Sequence, residues 1–162
     1  MEIRKVVAND DYFAIGNIYA KSWKDTYKGI LPDKYLDSLS ARTWEEILKN
    51  NRYTSFVILE EEKYIGTSMV SPARDEKMKG FGEIISFYLK PEYFGKGYAK
   101  PLLDFVIKNL LQSHNQMYLW VLEQNERAQR FYIKNGFIAT KDTMISEIAG
   151  QRLTELRYVL KT

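Results

Sequence analysis

Residues 83–103, EIISFYLKPEYFGKGYAKPLL, read as strand, arm, glycine loop and helix in one unbroken run. The first seven are β-branched, aromatic or aliphatic except for Glu83 and Ser86, as suits a buried strand, and Pro91 cannot extend the ladder. Gly95, Gly97 and Ala99 then stand where a helix is about to begin. A helix N-terminus carries unpaired N–H groups and partial positive charge, and side chains this small let an anion approach the backbone. The run predicts a central strand feeding an anion site.

The rest of the chain must enclose that unit. At 162 residues it fits one domain over 1–162 with a sizeable core, and 45% hydrophobic with 28% charged residues is an ordinary globular balance. No long apolar run follows a basic region at the N-terminus, so neither signal peptide nor membrane partner is expected and the expected location is cytoplasmic. The absence of cysteine excludes disulfides, thiolate metal sites and a cysteine nucleophile, and no metal is expected. A net charge of +3 arises from basic residues interspersed with acidic ones, not gathered in a stripe, which argues against nucleic acid as partner.

Taken in order, a short apolar stretch at 3–7 precedes Asn9, Asp10 and Asp11, candidate caps for a helix reaching Trp23 or Asp25. Gly29 and Pro32 end it; a second helical stretch covers 33–39, and Ser40 is placed to cap a third over 41–49. Strands at 54–59 and 64–70 form a hairpin across a polar turn, and 71–82 is a loop. Leu103, Val106, Ile107 and Leu110 give the next helix its apolar face, followed by a strand at 117–122. Asn125 caps a helix over 126–135 that Gly136 stops, and strands at 137–145 and 153–160 close the chain as a hairpin across Gly150. This order indicates an α/β sheet of mixed direction with helices packed on it.

Two motifs then combine. The segment VLEQNERAQRFYIKNGF contributes Val121, Asn125, Ala128, Phe131, Tyr132, Gly136 and Phe137 to the spacing V-x-x-x-N-x-x-A-x-x-F-Y-x-x-x-G-F. The loop matches [Q/R]-x-x-G-x-[G/A] at Gly97 and Ala99, with Gly95 as an extra glycine, although Phe94 stands where Gln or Arg is usual. Together they resemble the GCN5-related N-acetyltransferase (GNAT) superfamily over nearly the whole chain, and SWKDTYKGILPDKYL is similar to a subgroup that includes polyamine acetylators. Pro101 is a second departure, tolerated only near a helix start because it lacks an N–H.

The resemblance implies a mostly antiparallel sheet splayed between its two central strands, with acetyl-CoA as cosubstrate. Phe87, Tyr88 and Leu89 would pair with the pantetheine arm like an added strand, and the backbone of Gly95, Lys96, Gly97, Tyr98, Ala99 and Lys100 would hold the pyrophosphate. Glu83 falls where some relatives carry a carboxylate base, Tyr132 matches the tyrosine that protonates the departing thiolate, and an amide near Leu89 would hold the oxyanion. The acceptor would be a small-molecule amine, polyamines included, or a protein amine, attacking directly in a ternary complex; self-association into a homodimer is left open.

Each residue also has a plainer reading. A Rossmann fingerprint would need glycine where Lys100 stands. Tyr132 on a core-facing helix surface is otherwise packing, Glu83 beside Gly82 is otherwise a solvated edge carboxylate, and Asn125, which the resemblance sets against the CoA arm, is otherwise only a cap. Trp23 and Tyr27 line an acceptor site or close the core. From a different functional class, the same fold would serve as a non-catalytic acyl-CoA-binding or sensing module.

Overall fold

The computed structural model describes residues 1–50 and 52–162. Strand β1 (Glu2–Lys5) leads to helix α1 (Tyr12–Tyr27), then α2 (Asp33–Ser38), α3 (Ala41–Lys49), β2 (Thr54–Glu60) and β3 (Lys63–Pro72). The second half runs β4 (Gly82–Leu89), α4 (Ala99–Leu110), β5 (Gln116–Leu122), α5 (Glu126–Lys134), β6 (Ile138–Ile148) and β7 (Gln151–Lys161). The seven strands form one sheet in the order β1-β2-β3-β4-β5-β7-β6, and β4 and β5 are its parallel pair.

That parallel pair opens. Register runs only from Gly82 opposite Met117 to Ile84 opposite Leu119, after which the two strands part. On its other side β4 pairs with β3 through a bulge, since Met69 faces Ser86 while Val70 faces Ile84 and Ile85 has no partner. A bulge bends its strand and sharpens the twist, so the extra residue at Ile85 accounts for β4 leaving β5 one position after Ile84. From 85 to 89 the backbone groups of β4 that face β5 are not used by that strand.

Helices cover both faces. Leu102, Leu103, Val106 and Leu110 of α4 are buried against Phe56, Ile65, Ile84 and Met117, each contributing roughly 1.5–3 kcal/mol. On the opposite face Ile15 and Tyr19 of α1 and Leu48 of α3 pack on Val57, Leu59 and Met69. Asp11 caps α1, its carboxylate accepting from the Ala14 amide at 2.9 Å. The helix runs to Tyr27, further than the sequence indicates, because Tyr27 is itself buried with Leu31, Leu36, Leu122 and Leu153. The Ser40 hydroxyl makes no capping bond, contrary to expectation; only its carbonyl is engaged, by the Thr43 amide. Among the described residues no helix is long and apolar enough to cross a membrane.

Candidate active site

The parting of β4 and β5 opens a cleft of about 520 Å³. One wall is β4 from Ile84 to Leu89, the other is Leu119 to Leu122 of β5, and α5 roofs it with Ala128, Phe131 and Tyr132. The lining is completed by Phe94, Gly95, Gly97, Ala99 and Lys100, by Ser22, Thr26 and Tyr27 of α1, and by Glu155 of β7.

The glycine loop is built as its composition predicts. Gly95 and Gly97 have φ of +69° and +86°, a region open to glycine and strained for other residues, and among the described residues, their chain neighbours aside, nothing lies within 4 Å of where a Cβ would sit. Among the described residues none of the amides at 95–100 donates to a backbone acceptor, and the first bond of α4 runs from the Leu102 amide to the Tyr98 carbonyl. Free donors in front of open space fit an anion, and the unpaired edge of β4 fits an amide-bearing arm. Pro101 is the third residue of α4, where an N–H would have no intrahelical partner, so its presence is accommodated. The side chains of Lys96 and Tyr98 turn to Tyr93 and do not line the cleft, leaving only their backbone at the loop.

Tyr132 lies under Phe87, Phe131 and Phe137 and is 7% exposed. Burial alone raises its hydroxyl well above the ordinary tyrosine value of 10.0, so it is a fully protonated donor at neutral pH. Among the described residues no side chain or carbonyl bonds that hydroxyl. Asn125 both caps α5, accepting from the Ala128 amide at 3.2 Å, and lines the cleft.

Glu83 is not the solvated edge carboxylate of the plainer reading. It is 2% exposed, accepts 2.7 and 3.1 Å bonds from the Arg74 guanidinium, and takes further bonds from the Arg74 amide and the Tyr118 hydroxyl. Burial would raise its carboxyl, but these hydrogen bonds and the Arg74 charge outweigh it and the group titrates below its ordinary 4.5. The structure does not bring Glu83 into the lining of the cleft.

The rings of Trp23 and Tyr27 lie 4.5 Å apart, tilted by 33°, and serve different spaces. Tyr27 lines the cleft and is also core, while Trp23 lines a second cavity of about 450 Å³ with Tyr19, Trp44, Tyr53 and Arg74. The two cavities share Ile85, Ser86 and Tyr88, so the bulged part of β4 is their common wall. Ile47 is 40% exposed and also lines that cavity. Sequence reasoning missed Arg127 and Glu155. For Glu155 a signal existed: in LTELRYVL, Glu155 and Arg157 interrupt the alternation at positions that share a face with buried Leu153. Among the described residues no group of three or more His, Asp or Glu side chains is arranged to hold a metal.

A seven-stranded sheet parted at a parallel pair thus carries a glycine loop and a roofing tyrosine around one cleft. The acetyltransferase (GNAT) family model matches residues 16–137, and the chain belongs to that family. It is 30% identical over 150 residues to the uncharacterised N-acetyltransferase YuaI of Bacillus subtilis, covering 91% of this chain and 86% of that protein. It is 29% identical over 148 residues to the spermidine N(1)-acetyltransferase of Thermoplasma acidophilum, covering 85% and 88%. Among solved structures it resembles the PaiA N-acetyltransferase of Thermoplasma acidophilum in complex with coenzyme A, with a TM-score of 0.73 at 24% identity over the full length of both chains. It also resembles YncA of Salmonella typhimurium with acetyl-CoA, at a TM-score of 0.71 and 21% identity over 99% and 93%.

Proposed function

We propose that this chain transfers the acetyl group of acetyl-CoA to a primary amine on a small molecule, by direct attack with both substrates bound. The observation that carries this reading is the shared wall of the two cavities: a donor lying along the parted edge of β4 and an acceptor lying among the rings of Tyr19, Trp23 and Trp44 meet at Ser86 and Tyr88. Holding the two reactants together supplies most of the acceleration such a reaction needs. Phe87, Tyr88 and Leu89 take the pantetheine arm, the amides at 95–100 take the pyrophosphate, and Asn125 adds a contact to the arm. Tyr132 protonates the departing thiolate. Glu83, saturated by Arg74 and Tyr118, is given a positioning role instead of the base.

A polyamine is the favoured acceptor within this class. Aromatic faces attract alkylammonium groups, and the likeness to a spermidine acetyltransferase supports the same choice. Release of free thiol from acetyl-CoA, measured across a panel of primary amines that includes spermidine, tests the reading. Amine-dependent release is expected; release no faster with any amine than without would leave a non-catalytic acyl-CoA-binding module in its place.

A further inference from the structure

Leu153, Glu155 and Arg157 alternate onto one face of β7. Leu153 packs with Tyr27, Leu31 and Leu36 beneath α1 and α2, and the Arg157 guanidinium lies 4.6 Å from the centroid of Trp120. Glu155 lies between them, with Leu122 of β5 and Met144 of β6 directly across in register. A carboxylate set among apolar neighbours is costly unless something pairs with it. Among the described residues Glu155 has neither a hydrogen-bond partner nor an ion pair, and it is the one carboxylate in the lining of the cleft.

We propose that Glu155 receives the ammonium group that the acceptor extends past Ser86 and Tyr88 into the cleft, and takes its proton, which makes it a catalytic residue of the acetyl transfer proposed above, on which this inference rests. Glu155 shares the cleft with Tyr132 and Tyr27, and its charge acts on Tyr88, in the wall common to both cavities. Glu83 lacks every one of these features: its oxygens are taken and it does not line the cleft.

The chemistry balances. An alkylammonium of pKa ~10.4 gives one proton to the Glu155 carboxylate and becomes a nucleophile. Its lone pair forms the C–N bond to the acetyl carbonyl carbon while the C–S bond breaks and the electron pair leaves on sulfur. Tyr132 donates its proton to that sulfur, and the second proton lost from nitrogen restores the tyrosine. Glu155 then returns its proton to solvent, one per turnover. Burial raises its carboxyl above the ordinary 4.5, with the nearby Arg74 charge pulling the other way, so it is a better base than an exposed carboxylate. The titratable and charged groups that interact with it are Arg74 from the β3–β4 loop, Tyr27 from α1 and Tyr88 from β4, while Arg157, on the same face of β7, turns to Asp75 and Trp120.

The test is a pH profile of kcat/KM for the wild type, Glu155→Gln, Glu155→Asp and Glu83→Gln with the best amine from the panel, beside calorimetric acetyl-CoA binding. Glu155→Gln is expected to bind acetyl-CoA normally, to lose on the order of 10²-fold in kcat/KM near neutrality, and to lack the acidic limb that follows the carboxyl. Glu155→Asp, with its carboxylate set back by one methylene, is slower but keeps that limb, and it carries the test if the Gln variant fails to fold. A wild-type profile in Glu155→Gln, a uniform loss with the limb intact, or loss of the limb in Glu83→Gln alone would each overturn the assignment. A wild type that acetylates no amine would overturn the activity itself, and this role with it.

Discussion

The guanidinium of Arg127 lies 3.7 Å from the centroid of the Phe94 ring, at the mouth of the glycine loop. Phe94 is the departure in the loop motif, and Arg127, from the first turn of α5, brings a cation to the same place. A cation there opposes the helix dipole, an unfavourable arrangement that a bound phosphate would reverse. Arg127→Gln is therefore expected to leave the fold intact, since the side chain is 56% exposed, and to weaken acetyl-CoA binding by roughly tenfold. The loss should shrink at high salt, where exposed charges are screened. Calorimetry at two ionic strengths measures both, and an affinity equal to wild type would reduce the pair to packing.

Gly97 carries a second prediction about the same loop. At φ +86° a valine is strained by ~1–3 kcal/mol, yet among the described residues beyond its chain neighbours no atom lies within 4 Å of its Cβ, so the chain still folds. The branched side chain would instead fill the space through which a phosphate reaches the loop amides. Acetyl-CoA affinity of Gly97→Val should fall more than tenfold, and calorimetry on the folded variant finding wild-type affinity would move the anion site elsewhere.

Glu83, buried at the start of β4, pairs with Arg74 of the β3–β4 loop, and their pairing has a pH signature. Because the Glu83 carboxyl is lowered below 4.5 in the fold, the stability it contributes is fully present above the ordinary carboxyl range and disappears as pH falls through its lowered value. Glu83→Gln should cost about 1–3 kcal/mol at neutral pH, by weakening charge-assisted bonds, and the variant should lose less than wild type on acidification. Thermal melts from pH 7 to pH 3 check this; parallel curves for the two proteins would show that Glu83 does not couple folding to protonation.

Gly16 sits where α1 crosses α3. A Cβ there would be driven into the Ala41 carbonyl, a backbone atom that cannot swing away. Replacing a helix glycine by alanine ordinarily gains about 1 kcal/mol, but overpacking of this kind costs about 1–3 kcal/mol, so the contact wins. Gly16→Ala should lower Tm, and a raised Tm would show that the helices separate without cost.

The parts of this molecule that were legible in its sequence are those fixed by local chemistry. Asn125 and Gly136 delimit α5, Gly95 and Gly97 adopt the left-handed conformation, and the order of strands around 83–103 follows from residue spacing. What stayed hidden depends on partners distant along the chain. Nothing near Glu83 announces that Arg74 and Tyr118 will saturate it, and Glu155 meets Leu122 only because β7 inserts between β5 and β6. The bulge at Ile85 was equally invisible, because an extra residue in one strand is defined only against the register of its neighbour.

Tyr132 offers the sharpest separation of binding from chemistry. Tyr132 lines the cleft, its hydroxyl is kept protonated by burial and has no hydrogen-bond partner among the described residues, and its ring is held by Phe87, Phe131 and Phe137. A thioester sulfur is a poor acceptor, so the hydroxyl has little to do until negative charge reaches that atom. An interaction made mainly in the transition state changes kcat and leaves ground-state affinity alone. Phenylalanine preserves the ring and its packing. Tyr132→Phe is therefore expected to lower kcat by on the order of 10²-fold with acetyl-CoA affinity nearly unchanged. Stopped-flow turnover and equilibrium binding on one preparation decide the matter: an unaltered kcat would mean that water or another group protonates the thiolate, and a collapse in affinity would make Tyr132 a wall of the cofactor pocket.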